Sequence, residues 1–111
     1  MIDRNELEKQ MHYFIICLHE TRYFDAHEAL ELIWFPLRKT PVSEVNLLRG
    51  YINAAVSFEL HKRGRKQAAE RVWGTFKKYQ GLLRELPFEH QVLYKSVERE
   101  IFKIRNDRIL I

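Results

Sequence analysis

One cysteine, three prolines and four glycines leave this chain of 111 residues little material for cross-links, linkers or extended loops. With Cys17 alone, no internal disulfide can form; its place beside Phe14, Ile15 and Leu18, without an activating base nearby, reads as a small buried hydrophobe. No tract rich in Pro, Gly or Ser marks a linker or a disordered tail, and no internal repeat is evident. The longest apolar runs, such as Tyr13 to Leu18, fall far short of the roughly 20 residues a membrane span requires. The polar start, Met1-Ile2-Asp3-Arg4-Asn5-Glu6, is not that of a signal peptide, so a cytoplasmic location is expected. No segment alternates with period two strongly enough to be a strand, and neither a phosphate-binding loop nor a recognisable nucleophile stands out.

What remains is an ordinary globular balance, 46% hydrophobic and 31% charged, at a length that fits one domain spanning residues 1–111. Leu7, Met11, Phe14, Ile15 and Leu18 recur at helical spacing, which predicts a first helix from about Asp3 or Asn5 to Glu20. After a break at Thr21 and Arg22, a second helix starts near Tyr23 and stops around Arg38 to Thr40, before Pro41; Pro36 kinks or tightens its last turn. Ser43 reads as the N-cap of a third helix, and Gly64 as the left-handed residue that ends it. This third helix is apolar nearly all round and is therefore expected at the centre, with its small stripe Gly50, Ala54 and Ser57 letting the second helix come close. A fourth helix is expected from Lys66 to Arg84, with Ala69, Val72, Trp73, Phe76 and Leu83 inward. A fifth follows Pro87, with Leu93, Val97, Ile101 and Ile104 inward. The fold class is all-α, a compact bundle of about five helices packed as antiparallel hairpins.

Charge on an inward stripe demands an explanation, and the second helix carries it. His27, Glu31, Trp34 and Arg38 fall along one stripe flanked by Phe24, Leu30 and Phe35, with Glu28 at its edge. Pairing of the second and third helices would bring this stripe towards Asn53, Ser57 and His61. Such a cluster has three physical readings. It is a hydrogen-bonded network that fixes helix register, because buried carboxylates and imidazoles are costly unless paired. It is a divalent-metal site, although the second histidine of a zinc-protease helix and the Glu-x-x-His of di-iron bundles are both missing, so that no metal ligand is assigned. Or it lines a pocket for a small ligand or acid/base chemistry, with His27 or His61 moving the proton. The first reading predicts that Glu31→Ala costs about 2–4 kcal/mol by stranding buried partners.

A net charge of +4 is concentrated locally, because Lys62, Arg63, Arg65 and Lys66 begin a basic run continued by Arg71, Lys77, Lys78 and Arg84. Such a run is either a solvated helix face or a surface for phosphate-bearing partners such as nucleic acid.

Tyr23-Phe24-Asp25-Ala26-His27-Glu28, followed by Glu31 and Trp34, resembles the signature of the bacterial and archaeal domain of unknown function 309. Gly50-Tyr51-Ile52-Asn53-Ala54-Ala55 and His61-Lys62-Arg63-Gly64 resemble that family's second and third blocks, in order and at matching spacing. Asn53, Arg65 and Ala68 depart from the Gln, Asn and Gly common at those positions. The resemblance implies a compact helical domain and no particular activity. It marks His27, Glu28, Glu31, Trp34, Asn53 and His61 as the candidate polar cluster. The function read from the sequence is therefore a binding or interaction module, engaging another protein or a second copy, with Ile109-Leu110-Ile111 as an apolar contact. A metal- or small-ligand-dependent enzyme using His27, Glu28, Glu31 and His61 is the alternative, and nucleic-acid binding through Lys62 to Lys66 a further one. No cofactor is specified, and no membrane association is expected.

Overall fold

Asp3 caps the first helix, α1 (Arg4–His19), by accepting hydrogen bonds from the backbone N–H groups of Asn5 and Glu6. The computed structural model describes residues 3–110, apart from the Glu89 side chain; Met1, Ile2 and Ile111 lie outside the described residues. Leu7, Met11, Phe14 and Leu18 of α1 are fully buried, each stabilising by about 1.5–3 kcal/mol relative to exposure. The chain then reverses at Thr21, whose φ of 59° is left-handed, a costly setting for a β-branched residue.

The second helix, α2 (Tyr23–Leu37), ends one residue after Pro36, where Arg38 N–H reaches back only three residues to the Phe35 carbonyl. Its buried stripe is Tyr23, Ala26, Leu30, Ile33 and Leu37, which corrects the expectation drawn from the sequence. His27, Glu31, Trp34 and Arg38 lie at the margin of the core, and both Phe24 and Phe35 are exposed. Ala26, Leu30, Ile33 and Leu37 follow the 3.6-residue period equally well, and burying an unbroken apolar row costs no ionic desolvation.

The third helix, α3 (Glu44–Lys62), is the central one, in contact with α2, with α4 (Lys66–Tyr79) and with a 3-10 turn over Gln80–Glu85. Ser43 precedes it without a side-chain cap bond, and Gly64, at φ 80°, ends it as expected. The small stripe of α3 faces α4 rather than α2. A Cβ on Gly50 would stand 3.2 Å from Tyr79 Cβ, and Ser57 Oγ donates to the Ala69 carbonyl at 2.8 Å. The Phe76 backbone, Tyr79 Cβ and the Ala69 carbonyl lie against these small α3 residues, so the backbone of α4 makes the close approach.

The fifth helix, α5 (Phe88–Ile104), contributes Val97, Ile101, Ile104 and the fully buried Tyr94. It closes the bundle through Tyr51 Oη, which donates to Glu98 at 2.7 Å, and Tyr94 Oη, which donates to Glu44 at 2.9 Å. Burial pushes both phenols well above their ordinary range, so both remain protonated donors. Burial likewise raises the Glu98 carboxyl, against the opposing bond from Tyr51. A final turn, Arg105–Ile109, follows. The fold is an all-α bundle of five helices with no strand among the described residues, and none of those helices is long and apolar enough to cross a membrane.

Candidate functional site

Of the six residues of the polar cluster expected from the sequence, only His27 and Glu31 are joined by a hydrogen bond among the described residues. His27 Nε2 meets Glu31 Oε1 at 2.6 Å within α2, one helical turn apart. Glu28 is exposed and lines a different hollow, with Gln10, Tyr13, Asp25, Ala29 and Leu32. Asn53 donates to the Arg49 carbonyl one turn back on its own helix at 2.7 Å. Trp34 packs on the core margin with its Nε1 buried and without a hydrogen-bond partner among the described residues. His61, on the α4-facing side of α3, meets Glu70 at 2.8 Å. No described hydrogen bond joins the α2 members to the α3 members, because the stripe that leads to His61 belongs to the α3–α4 contact.

His27 and His61 open into two hollows that share Tyr23. The first, of about 200 Å3, is lined by Tyr23, Phe24, His27, Val56, Glu59, Leu60 and Arg63. The second, of about 360 Å3, is lined by Thr21, Tyr23, Phe58, His61, Lys62, Arg108 and Ile109. An imidazole beside a carboxylate is able to carry a proton. Yet among the described residues the His27 hollow presents no Ser, Thr, Cys or Lys for it to activate. The pairing itself is commonplace in this molecule. His19 meets Glu100 at 2.6 Å and His90 meets Glu44 at 2.7 Å, so four of the five histidines stand against a glutamate. Three of those four pairs join different helices, which is a structural use of the residue type.

A second charged cluster centres on Glu70. Arg105 donates to both of its oxygens, at 2.9 and 2.7 Å, and spreads its guanidinium over the Trp73 ring at 4.2 Å. Arg105 above all, then His61, hold the Glu70 carboxyl down to about 2, with burial opposing. An ionised carboxylate only accepts, so His61 Nε2 is the donor in its bond to Glu70. Glu70 was reachable from the sequence, since a tight turn at Gly64 sets the first turn of α4 beside the last turn of α3. Arg105 and Arg108 were not, for nothing local ties the end of the chain to residues 19 and 70.

Of the basic run, Lys62 donates to the Thr21 carbonyl at 3.2 Å and Arg63 to Glu59 at 2.7 Å, whereas Arg65 and Lys66 stand exposed at the α3–α4 turn. Among the described residues no group of three or more His, Cys, Asp or Glu side chains is placed to hold a metal ion. Cys17 is fully buried, and burial raises its thiol above the ordinary value, which disfavours the thiolate a nucleophile requires.

No curated protein and no solved structure matches the chain. The family model described as Domain of unknown function (DUF309) matches residues 11–72, from α1 through the first half of α4. That span takes in His27, Glu31, Asn53, His61 and Glu70 and stops short of Arg105 and Arg108. A match over more than half of the chain, carried by the helices that hold the polar residues, assigns it: the protein belongs to the DUF309 family.

Proposed function

We propose that the protein is an interaction module that pairs with a second copy of itself through the outer face of α1 and α2. One observation carries the reading, a contiguous exposed apolar surface with Lys9 on one side and Glu28 on the other. Tyr13, Ile16 and Leu32 are 41%, 37% and 65% exposed, although Ile and Leu are among the types most often buried. With Lys9, Gln10 and His12 they line an open hollow of about 500 Å3. A second hollow, of about 180 Å3, shares Gln10, Tyr13 and Leu32 and adds Asp25, Glu28 and Ala29. Lys9 stands on the α1 edge and Glu28 on the α2 edge, where Asp25 is paired with Arg22. A two-fold interface sets the same patch against itself, so a patch with one edge of each sign is self-complementary.

Sedimentation velocity across the micromolar range tests this. The expected result is a monomer–dimer equilibrium, shifted to monomer by Leu32→Asp without loss of helical signal, since Leu32 is mostly in solvent. A monomer at every concentration, or a dimer indifferent to Leu32→Asp, overturns the proposal. A monomeric protein that co-purifies with a different chain on this face would keep the module and reject self-pairing.

A further inference from the structure

The larger hollow beside Tyr23 combines apolar walls with an uncompensated positive charge. His61, Lys62 and Arg108 line it with Ile109, the edge of Tyr23 and, beneath them, the fully buried Phe58, and among the described residues no carboxylate does. Its cations are held by backbone dipoles rather than by counter-charges. Lys62 donates to the Thr21 carbonyl at 3.2 Å, and Arg108 to the His19 carbonyl at 2.8 Å. Glu70, the carboxylate bonded to His61, has both oxygens engaged by Arg105. A carbonyl satisfies a donor but carries only partial charge, so Lys62 and Arg108 keep most of their positive field. Low-dielectric walls focus such a field into the cleft. At about 360 Å3 the space falls at the lower end of the roughly 300–1,000 Å3 typical of small-ligand sites.

We infer that this hollow binds a small organic anion: one carboxylate or phosphate group, held by Arg108 and Lys62, on an apolar body that rests against Ile109 and the exposed edge of Tyr23. A bare inorganic anion would use the charge and leave the apolar walls wet, whereas a neutral apolar molecule would do the reverse. The competing explanation, that the two cations only cap the carboxyl end of α1, predicts no ligand at all. The site shares no residue with the α1–α2 face proposed for self-pairing, so either proposal fails without the other.

The test is a titration of the whole chain followed by amide 1H–15N spectra, with benzoate, phenyl phosphate, inorganic phosphate and benzyl alcohol as separate probes. Benzoate or phenyl phosphate is expected to give saturable shifts centred on the amides of Thr21, Tyr23, Lys62 and Arg108, and their relative affinities identify the preferred head group. Inorganic phosphate and benzyl alcohol are expected to bind roughly tenfold more weakly or not at all. Lys62→Gln and Arg108→Gln are each expected to weaken the better probe several-fold. Lys62 is exposed, so its variant serves if Arg108→Gln fails to fold. Absence of saturable shifts with both aromatic anions overturns the inference. So do equal binding of benzyl alcohol and unchanged binding by a folded Lys62→Gln variant.

Discussion

Glu70→Gln keeps the shape of the side chain and removes the charge on which Arg105 and His61 converge. The carboxyl is held from its ordinary 4.5 to about 2, first by the Arg105 bonds and then by His61. At face value that fall corresponds to about 3 kcal/mol. Glu70 is 48% exposed, and solvent screening of a half-exposed carboxylate reduces the figure to about 1–1.5 kcal/mol. Arg105, only 11% exposed, would then lack a counter-charge while keeping the Trp73 face, which brings the expected loss to about 1–2 kcal/mol. The sign follows from a folded-state value below the unfolded one. The stabilisation is present in full above the unfolded value near 4.5 and is lost as pH falls through about 2. Urea unfolding of both proteins, followed by helical circular dichroism from neutral pH downwards, measures it. The gap between them is expected to be about 1–2 kcal/mol at neutral pH and to narrow progressively below pH 4.5. Equal stability at neutral pH, or a gap that stays constant into acid, would refute the claim that this carboxylate anchors Arg105.

Glu31→Ala is expected to cost about 0.5 kcal/mol in the same assay, since Glu31 is 44% exposed and its partner sits one turn away; a loss above about 2 kcal/mol would restore the buried-network reading. Gly50→Leu should destabilise by about 1–3 kcal/mol, because its Cβ already meets Tyr79 Cβ at 3.2 Å and the larger side chain must displace α4. An unchanged urea midpoint would show that the α3–α4 contact is looser than described. Tyr51→Phe removes the donor to Glu98 and should cost about 1–2 kcal/mol at neutral pH. Because burial already raises the Glu98 carboxyl, the loss should shrink as that group is protonated in acid; a pH-independent loss would exclude the link.

Helix positions were legible where a cap or breaker agrees with the periodicity, as at Asp3 before α1, Gly64 after α3 and Pro87 before α5, whereas Ser43 makes no cap bond and α4, expected to run to Arg84, gives way to a 3-10 turn after Tyr79. The rotation of α2 about its own axis was not legible. His27-Glu31-Trp34 and Ala26-Leu30-Ile33 are adjacent stripes of similar period, and only the packed neighbours decide which faces inward. The same ambiguity misplaced the small stripe of α3, since Gly50, Ala54 and Ser57 announce a close approach without naming the helix that makes it. The reach of Arg105 to Glu70 and of Arg108 to the His19 carbonyl is a tertiary fact with no local pattern to report it. The His27–Glu31 pair, by contrast, is a one-turn contact of the kind spacing alone predicts.

The terminal turn has a kinetic consequence. Its bonds close long stretches of chain, 35 residues for Arg105 to Glu70 and 89 for Arg108 to the His19 carbonyl. The α3–α4 hairpin, by contrast, closes over a turn of a few residues, so loop-closure entropy favours the hairpin as the nucleus and the terminal turn as a late arrival. Contacts absent from the transition state govern how fast a protein comes apart rather than how fast it forms. Arg108→Ala should therefore steepen escape from the native state and leave the refolding limb of the chevron where it was, making the last turn of the chain a latch on its lifetime.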